Sequence, residues 1–108
     1  MPIYSLFFTH FILGQAGSVS FESLVWPGNY IRHRDYLIYT ESSGYNPSTF
    51  NDDATWIAHP DKYFQGYYAF EASNVGNYFI RHQNYRLRID QDDGTDLFKQ
   101  DASFKSNA

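Results

Sequence analysis

One phrase is written twice in this chain. Phe21-Glu22, followed by Tyr30-Ile31-Arg32-His33-Arg34-Asp35-Tyr36, returns as Phe70-Glu71, followed by Phe79-Ile80-Arg81-His82-Gln83-Asn84-Tyr85. Every paired position recurs 49 residues later. A fixed period of about 20–50 residues marks a fold stacked from similar supersecondary units, none of which buries its apolar face alone. A polar constellation that recurs once per unit points in turn to one binding pocket per unit.

The rest of the chain falls into line with that period. Short alternating runs bounded by turn residues dominate, and no stretch carries convincing helical spacing with caps. Val19-Ser20-Phe21 and Tyr68-Ala69-Phe70 read as matching first strands, followed by the turns Trp26-Pro27-Gly28-Asn29 and Asn74-Val75-Gly76-Asn77. Tyr30 to His33 and Phe79 to His82 come next, then Tyr36 to Thr40 and Tyr85 to Ile89. Loops follow at Glu41 to Ser48 and Asp90 to Asp96, where Asp93-Gly94 reads as a hairpin turn because glycine accepts positive φ cheaply. Each unit is expected to close with a further strand, Phe50 to Trp56 and Phe98 to Phe104. The offset there is 48, a single-residue change of the kind loops absorb.

The step from Phe70 back to Trp56, taken from Phe21, reaches Phe7. Ser5-Leu6-Phe7-Phe8 therefore reads as the last strand of an earlier unit. The sequence predicts a single domain, 1–108, made of a repeat remnant (1–17), one repeat (18–66) and a second (67–108). Four-strand units of about 40–50 residues fit an all-β, β-trefoil-type fold. Here that means two full four-strand repeats plus an N-terminal remnant of a third.

Composition narrows the partners. Ten Tyr and ten Phe bring the aromatic share to 20%, while 19% of residues are charged, against about 25% in ordinary globular chains. With a net charge of −4, the chain lacks the basic footprint that nucleic acid or an anionic membrane requires. An aromatic, weakly charged, acidic domain suits a neutral ligand. No cysteine is present, so disulfides and thiol chemistry are excluded. Ile3 to Leu13 is apolar and precedes Gly14-Gln15-Ala16-Gly17 like a signal-peptide core. Yet no basic residue leads it, and Thr9 and His10 interrupt it. It is shorter than the roughly 20 apolar residues a bilayer span needs, and reads as a strand-bearing piece of the fold.

The phrases themselves are more specific than their period. Val19-Ser20-Phe21-Glu22-Ser23, Pro27-Gly28-Asn29-Tyr30-Ile31-Arg32-His33-Arg34-Asp35-Tyr36 and Asp92-Asp93-Gly94-Thr95-Asp96-Leu97-Phe98-Lys99-Gln100-Asp101-Ala102-Ser103-Phe104 resemble the arabinose-binding domain of B-type α-L-arabinofuranosidases, the family 42 carbohydrate-binding modules. The resemblance runs from about Gly17 to Phe104 and implies a three-unit trefoil holding L-arabinofuranose side chains of arabinoxylan or arabinan, one small pocket per competent unit. Carried over residue by residue, it implies His33 with Asp53 in the first unit and His82 with Asp101 in the second. Asp35 with Tyr36, and Asn84 with Tyr85, follow the histidines directly.

Elementary chemistry agrees with such a pocket. An Asp carboxylate accepts from adjacent sugar hydroxyls, a His adds a donor or acceptor, and Tyr36 or Tyr85 offers an aromatic face to the ring. Each residue also has a plainer reading. The histidines can bond a neighbouring loop, Asp53 and Asp101 can cap a turn, and the two tyrosines can be core. Arg32 and Arg81 read as structural, with Glu22 and Glu71 as partners. The second unit, with Asn84 where the first has Asp35, is the stronger candidate, and Asp101→Ala is expected to abolish retention with little effect on stability.

Catalysis and cofactors find no support. Glycoside hydrolysis needs two carboxylates flanking one bond, and Glu22 and Glu71 sit in separate units. No phosphate loop, nucleophile elbow or metal-ligand spacing occurs. Asp90 to Asp96 mimics a calcium loop, with its glycine out of register and no later bidentate Glu. Two rival readings remain beside the sugar module: a structural or protein-interaction trefoil, and the binding appendage of an arabinofuranosidase. Unpaired sheet edges are a liability, which predicts a homodimer that covers them. The family resemblance favours an extracellular location.

Overall fold

A computed structural model of the chain describes residues 6–9, 17–44 and 47–105. Eight strands and two short helices follow in order. They are β1 (Leu6–Thr9), β2 (Gly17–Ser23), β3 (Asn29–Arg34), β4 (Leu37–Ser42) and α1 (Pro47–Asp53). Then come β5 (Trp56–Pro60), β6 (Tyr68–Ala72), β7 (Tyr78–Gln83), β8 (Arg86–Gln91) and α2 (Asp96–Asp101). The fold is all-β in its framework, and among the described residues no helix is long and apolar enough to cross a membrane.

The repeated phrase becomes a repeated hairpin. β3 pairs with β4 up to Arg34↔Leu37, and β7 with β8 up to Gln83↔Arg86, which leaves two-residue loops. Asp35 and Tyr36 take φ of 53° and 66°, and Asn84 and Tyr85 take 54° and 60°. Positive φ at both central positions is what the hairpin-favoured type I′ turn demands. Asp and Asn tolerate that region, whereas Tyr has no local hydrogen bond to offset its Cβ clash.

The turns before these hairpins repeat as well. Gly28 N donates to Glu22 Oε2 at 2.8 Å, and Asn77 N donates to Glu71 Oε2 at 2.7 Å. Asn29 N to Trp26 O (3.1 Å) and Tyr78 N to Val75 O (3.3 Å) close the same two bends. Glu22 and Glu71 thus hold turns, and the expectation that they pair with Arg32 and Arg81 is corrected. His59 adds a second contact to Glu71, 2.8 Å from Oε1.

β2, β3, β4, β8, β7, β6 and β5 are neighbours in that order, and β2 also pairs with β5 (Val19↔Trp56). The result is a closed seven-stranded sheet with β1 laid against β2, from Leu6↔Ser23 to Thr9↔Ser20. Unit two repeats the closure in miniature, because Tyr68 bridges Phe104 as Val19 pairs with Trp56. Apolar side chains of β2, β3, β6 and β7 face inward in repeat-related pairs: Val19 and Tyr68, Phe21 and Phe70, Ile31 and Ile80. The Phe21 and Phe70 rings meet edge to face at 5.0 Å. Trp56, fully buried, seals the centre and donates Nε1–H to Ile31 O at 3.3 Å.

The expected closing strands Phe50 to Trp56 and Phe98 to Phe104 are corrected. Helices occupy most of both, and extended structure resumes only at Trp56 and at the Phe104 bridge. Unit two therefore has three strands and a bridge rather than four strands. The physical reason lies in spacing and caps. Phe50 with Ala54 and Phe98 with Ala102 are four apart, and all four are buried, as one helix face requires. Thr95 Oγ1 accepts from Phe98 N at 3.1 Å, an N-cap. Asp93 Oδ1 accepts from Thr95 N (2.9 Å) and Thr95 Oγ1 (2.7 Å), so Asp93-Gly94 leads into a helix and not around a hairpin.

Candidate functional site

Each unit places an arginine from its second strand beneath the end of its helix. Arg32 on β3 stacks its guanidinium on the Phe50 ring at 5.4 Å, and Arg81 on β7 stacks on Phe98 at 5.3 Å. Nη2 of each arginine then bonds Oδ2 of the aspartate that ends the helix, Asp53 and Asp101 respectively. Nη1 meets a second carboxylate, Glu41 at 3.3 Å and Asp90 at 3.6 Å. Glu41 and Asp90 obey the 49-residue offset. A guanidinium buried to this degree needs partners for its donors. The two carboxylates face the Nη groups, Arg32 Nε donates to His33 O at 3.2 Å, and Arg81 Nε has no hydrogen-bond partner among the described residues.

The arrangement leaves Oδ1 of each aspartate turned toward the histidine that follows the arginine. His33 Nε2 lies 3.6 Å from Asp53 Oδ1, and His82 Nε2 lies 3.5 Å from Asp101 Oδ1. The His–Asp pairs that the family resemblance implied are thus close together in both units. Arg32 and His33 are adjacent on β3, as Arg81 and His82 are on β7, so one anchors the carboxylate while its neighbour approaches it from the other side.

The two histidines differ sharply in surroundings. His33 is buried; its ring meets Trp56 edge-on at 5.7 Å, and Nε2–H donates to Asn74 Oδ1 at 2.8 Å. The His82 side chain is 59% exposed. Among the described residues no side chain hydrogen-bonds its ring or Asp101 Oδ1.

The remaining candidates sit at the hairpin tips. Asp35 and Asn84 make no side-chain hydrogen bond among the described residues. Tyr36 is half-exposed and packs on Tyr78 with ring centres 5.6 Å apart, while Tyr85 is fully exposed. Neither tyrosine is core. Asp101 is tied to Arg81, which corrects the expectation that its loss would leave stability nearly unchanged.

Beside unit two lies a second polar cluster that sequence reading missed. Tyr63 donates its hydroxyl to Asp92 Oδ2 at 2.6 Å and packs on Phe79 and Phe98. Burial, reinforced by the Asp92 carboxylate, pushes the Tyr63 phenol well above its ordinary range. The Tyr63 hydroxyl in turn holds Asp92 below the usual carboxylate value, helped by Gly94 N and by Lys62 and Lys99. Burial opposes ionisation of Glu71, but its bonds from Asn77 N and His59 outweigh that and lower its pKa. Tyr63 and Asp92 brace Phe98 of α2 and the loop leading to it.

Fold and site together define a repeat-built all-β domain with an arginine-anchored His–Asp pair in each unit. Residues 7–58 and 62–108 match the alpha-L-arabinofuranosidase B (ABFB) domain, and the chain belongs to that family. It is 34% identical over 76 residues to a probable alpha-L-arabinofuranosidase B of Aspergillus clavatus, a match covering 69% of this chain and 15% of that protein. It is 27% identical over 95 residues to alpha-L-arabinofuranosidase B of Aspergillus niger, covering 87% and 19% respectively. The chain thus spans less than a fifth of the length of these relatives. Among solved structures, a GH54 α-L-arabinofuranosidase soaked with a cyclic sulfate inhibitor superposes with a TM-score of 0.72 at 25% identity. An arabinofuranosidase complexed with arabinofuranosyl-α-1,2-xylobiose gives 0.71 at 24%. Each covers 93% of this chain and 21% of the other.

Proposed function

We propose that this chain is a non-catalytic, trefoil-type carbohydrate-binding module that holds terminal L-arabinofuranose of arabinoxylan or arabinan, outside the cell. The observation that carries the reading is the Asp101–His82 pair. Its carboxylate is fixed by Arg81 through Oδ2, while Oδ1 lies 3.5 Å from Nε2 of the exposed His82 imidazole. A carboxylate held rigid by a buried guanidinium accepts from sugar hydroxyls without losing further rotamer freedom on binding. The adjacent His ring supplies the complementary donor or acceptor.

Family membership supports the sugar class. The absence of a catalytic role is supported by the use of Glu22 and Glu71, both bonded to backbone N–H groups of their own turns. The match covers 15–19% of the relatives, which supports a non-catalytic module rather than the hydrolytic part. Affinity electrophoresis through gels containing arabinoxylan tests the reading, with unsubstituted xylan as control. Retardation by arabinoxylan alone is the expected result, and equal mobility in both gels refutes it.

A further inference from the structure

We propose that Asn74 is a built-in stand-in for the sugar: its carboxamide occupies the positions on His33 and Asp53 that a ligand's hydroxyls would take, so that unit one is closed and the chain binds arabinofuranose in unit two only. The inference rests on the arabinofuranose reading of the His–Asp pair.

Asn74 Nδ2 donates to Asp53 Oδ1 at 2.8 Å, and Asn74 Oδ1 accepts from the His33 ring at 2.8 Å. A carboxamide presents one acceptor and a donor pair a short distance apart. Two neighbouring hydroxyls of a sugar present the same complement, one accepting while the other donates. Asn74 therefore satisfies both partners as a ligand would, and a sugar has to displace two hydrogen bonds to enter. Exchanging made bonds for equivalent ones brings little net gain.

Asn74 reaches this place from the turn between β6 and β7, which belongs to unit two. Ser73 fastens that turn to the end of α1: its N–H donates to Thr55 O (3.2 Å) and its Oγ to Asp52 O (3.2 Å). The plug lies outside the repeat, since the residue 49 positions before Asn74 is Val25, which has no polar side-chain atom. Unit two, whose His82 stays exposed, has no such filler among the described residues.

Calorimetric titration with methyl α-L-arabinofuranoside tests the proposal. One site is expected for the unaltered chain, none for His82→Ala, two for Asn74→Ala, and one for the double variant Asn74→Ala/His82→Ala. A folded Asn74→Ala that still binds one equivalent, with a double variant that binds none, overturns the plug. Failure of the unaltered chain and every variant to bind overturns the sugar reading itself. Should Asn74→Ala not fold, imidazole NMR signals of the unaltered chain decide the matter. The His82 ring is expected to shift on titration and the His33 ring to stay put; movement of both overturns the proposal.

Discussion

His33 and His82 stand 49 residues apart, at the same place in their units. One is sealed against Trp56 and Asn74, and the other faces solvent. Their arginines differ in the same sense, with side-chain exposures of 1% for Arg32 and 9% for Arg81. The chain carries two copies of one device in different surroundings. In unit one the Arg–Asp–His set works as a piece of core. In unit two the same set keeps its structural half, Arg81 on Asp101, and leaves His82 exposed. A repeated motif thus separates into a supporting part and a binding part only when its two settings are compared.

The comparison breaks most visibly at the aspartates. Asp53→Ala leaves Arg32 buried with Glu41 as its remaining carboxylate, and is expected to destabilise by about 3–5 kcal/mol. Asp101→Ala should cost less, because Arg81 is the more accessible, and should also remove sugar binding. Urea denaturation of both variants gives the ranking, and equal costs would show the two arginines to be equivalent.

The histidines come next in size. His33→Ala loses the Trp56 contact and leaves Asn74 and Asp53 underbonded, for an expected loss of about 2–3 kcal/mol. His82→Ala should fall within about 0.5 kcal/mol of the parent, as exposed substitutions do.

A smaller effect is expected at the hairpin tips. Tyr85→Gly relieves a positive φ at a fully exposed residue and should raise stability by up to about 1 kcal/mol. Tyr36→Gly should gain less, since it forfeits the packing on Tyr78. If Tyr85→Gly also weakens sugar binding, the Tyr85 ring is part of the pocket wall.

The pH response belongs to the polar cluster beside unit two and is the smallest. The Tyr63 phenol is raised above its ordinary 10.0, so the neutral form is favoured in the fold. Its contribution is complete below pH 10 and is lost as pH rises beyond it. Asp92 and Glu71 are lowered from 3.8 and 4.5, so their contributions are present above those values and fade as pH falls through the lowered ones. Tyr63→Phe should cost about 1 kcal/mol at neutral pH and abolish the alkaline loss, both readable from melts across the pH range.

What the sequence revealed follows from what a period can encode. His33 and His82 recur in step and so declare themselves, whereas Asp53 and Asp101, 48 apart, came from the family resemblance. Two-residue hairpin loops at Asp35-Tyr36 and Asn84-Tyr85 were hidden because tyrosine is a poor residue for positive φ. The helices at Phe50 and Phe98 read as strands because seven and six residues, under two turns each, offer too little periodicity to see. Their signals were the Phe/Ala pairs four apart and the Thr95 cap. Asn74 was invisible for a different reason: it has no counterpart in the other unit, and only the fold brings it 41 positions back to His33.

The most direct test pairs His82→Ala with His33→Ala in affinity electrophoresis on arabinoxylan, with thermal melts of both. Loss of retardation with an unchanged melt for His82→Ala, and a lowered melt with retained retardation for His33→Ala, is the predicted result. Retardation of His82→Ala equal to that of the parent would contradict the placement of the binding site in unit two.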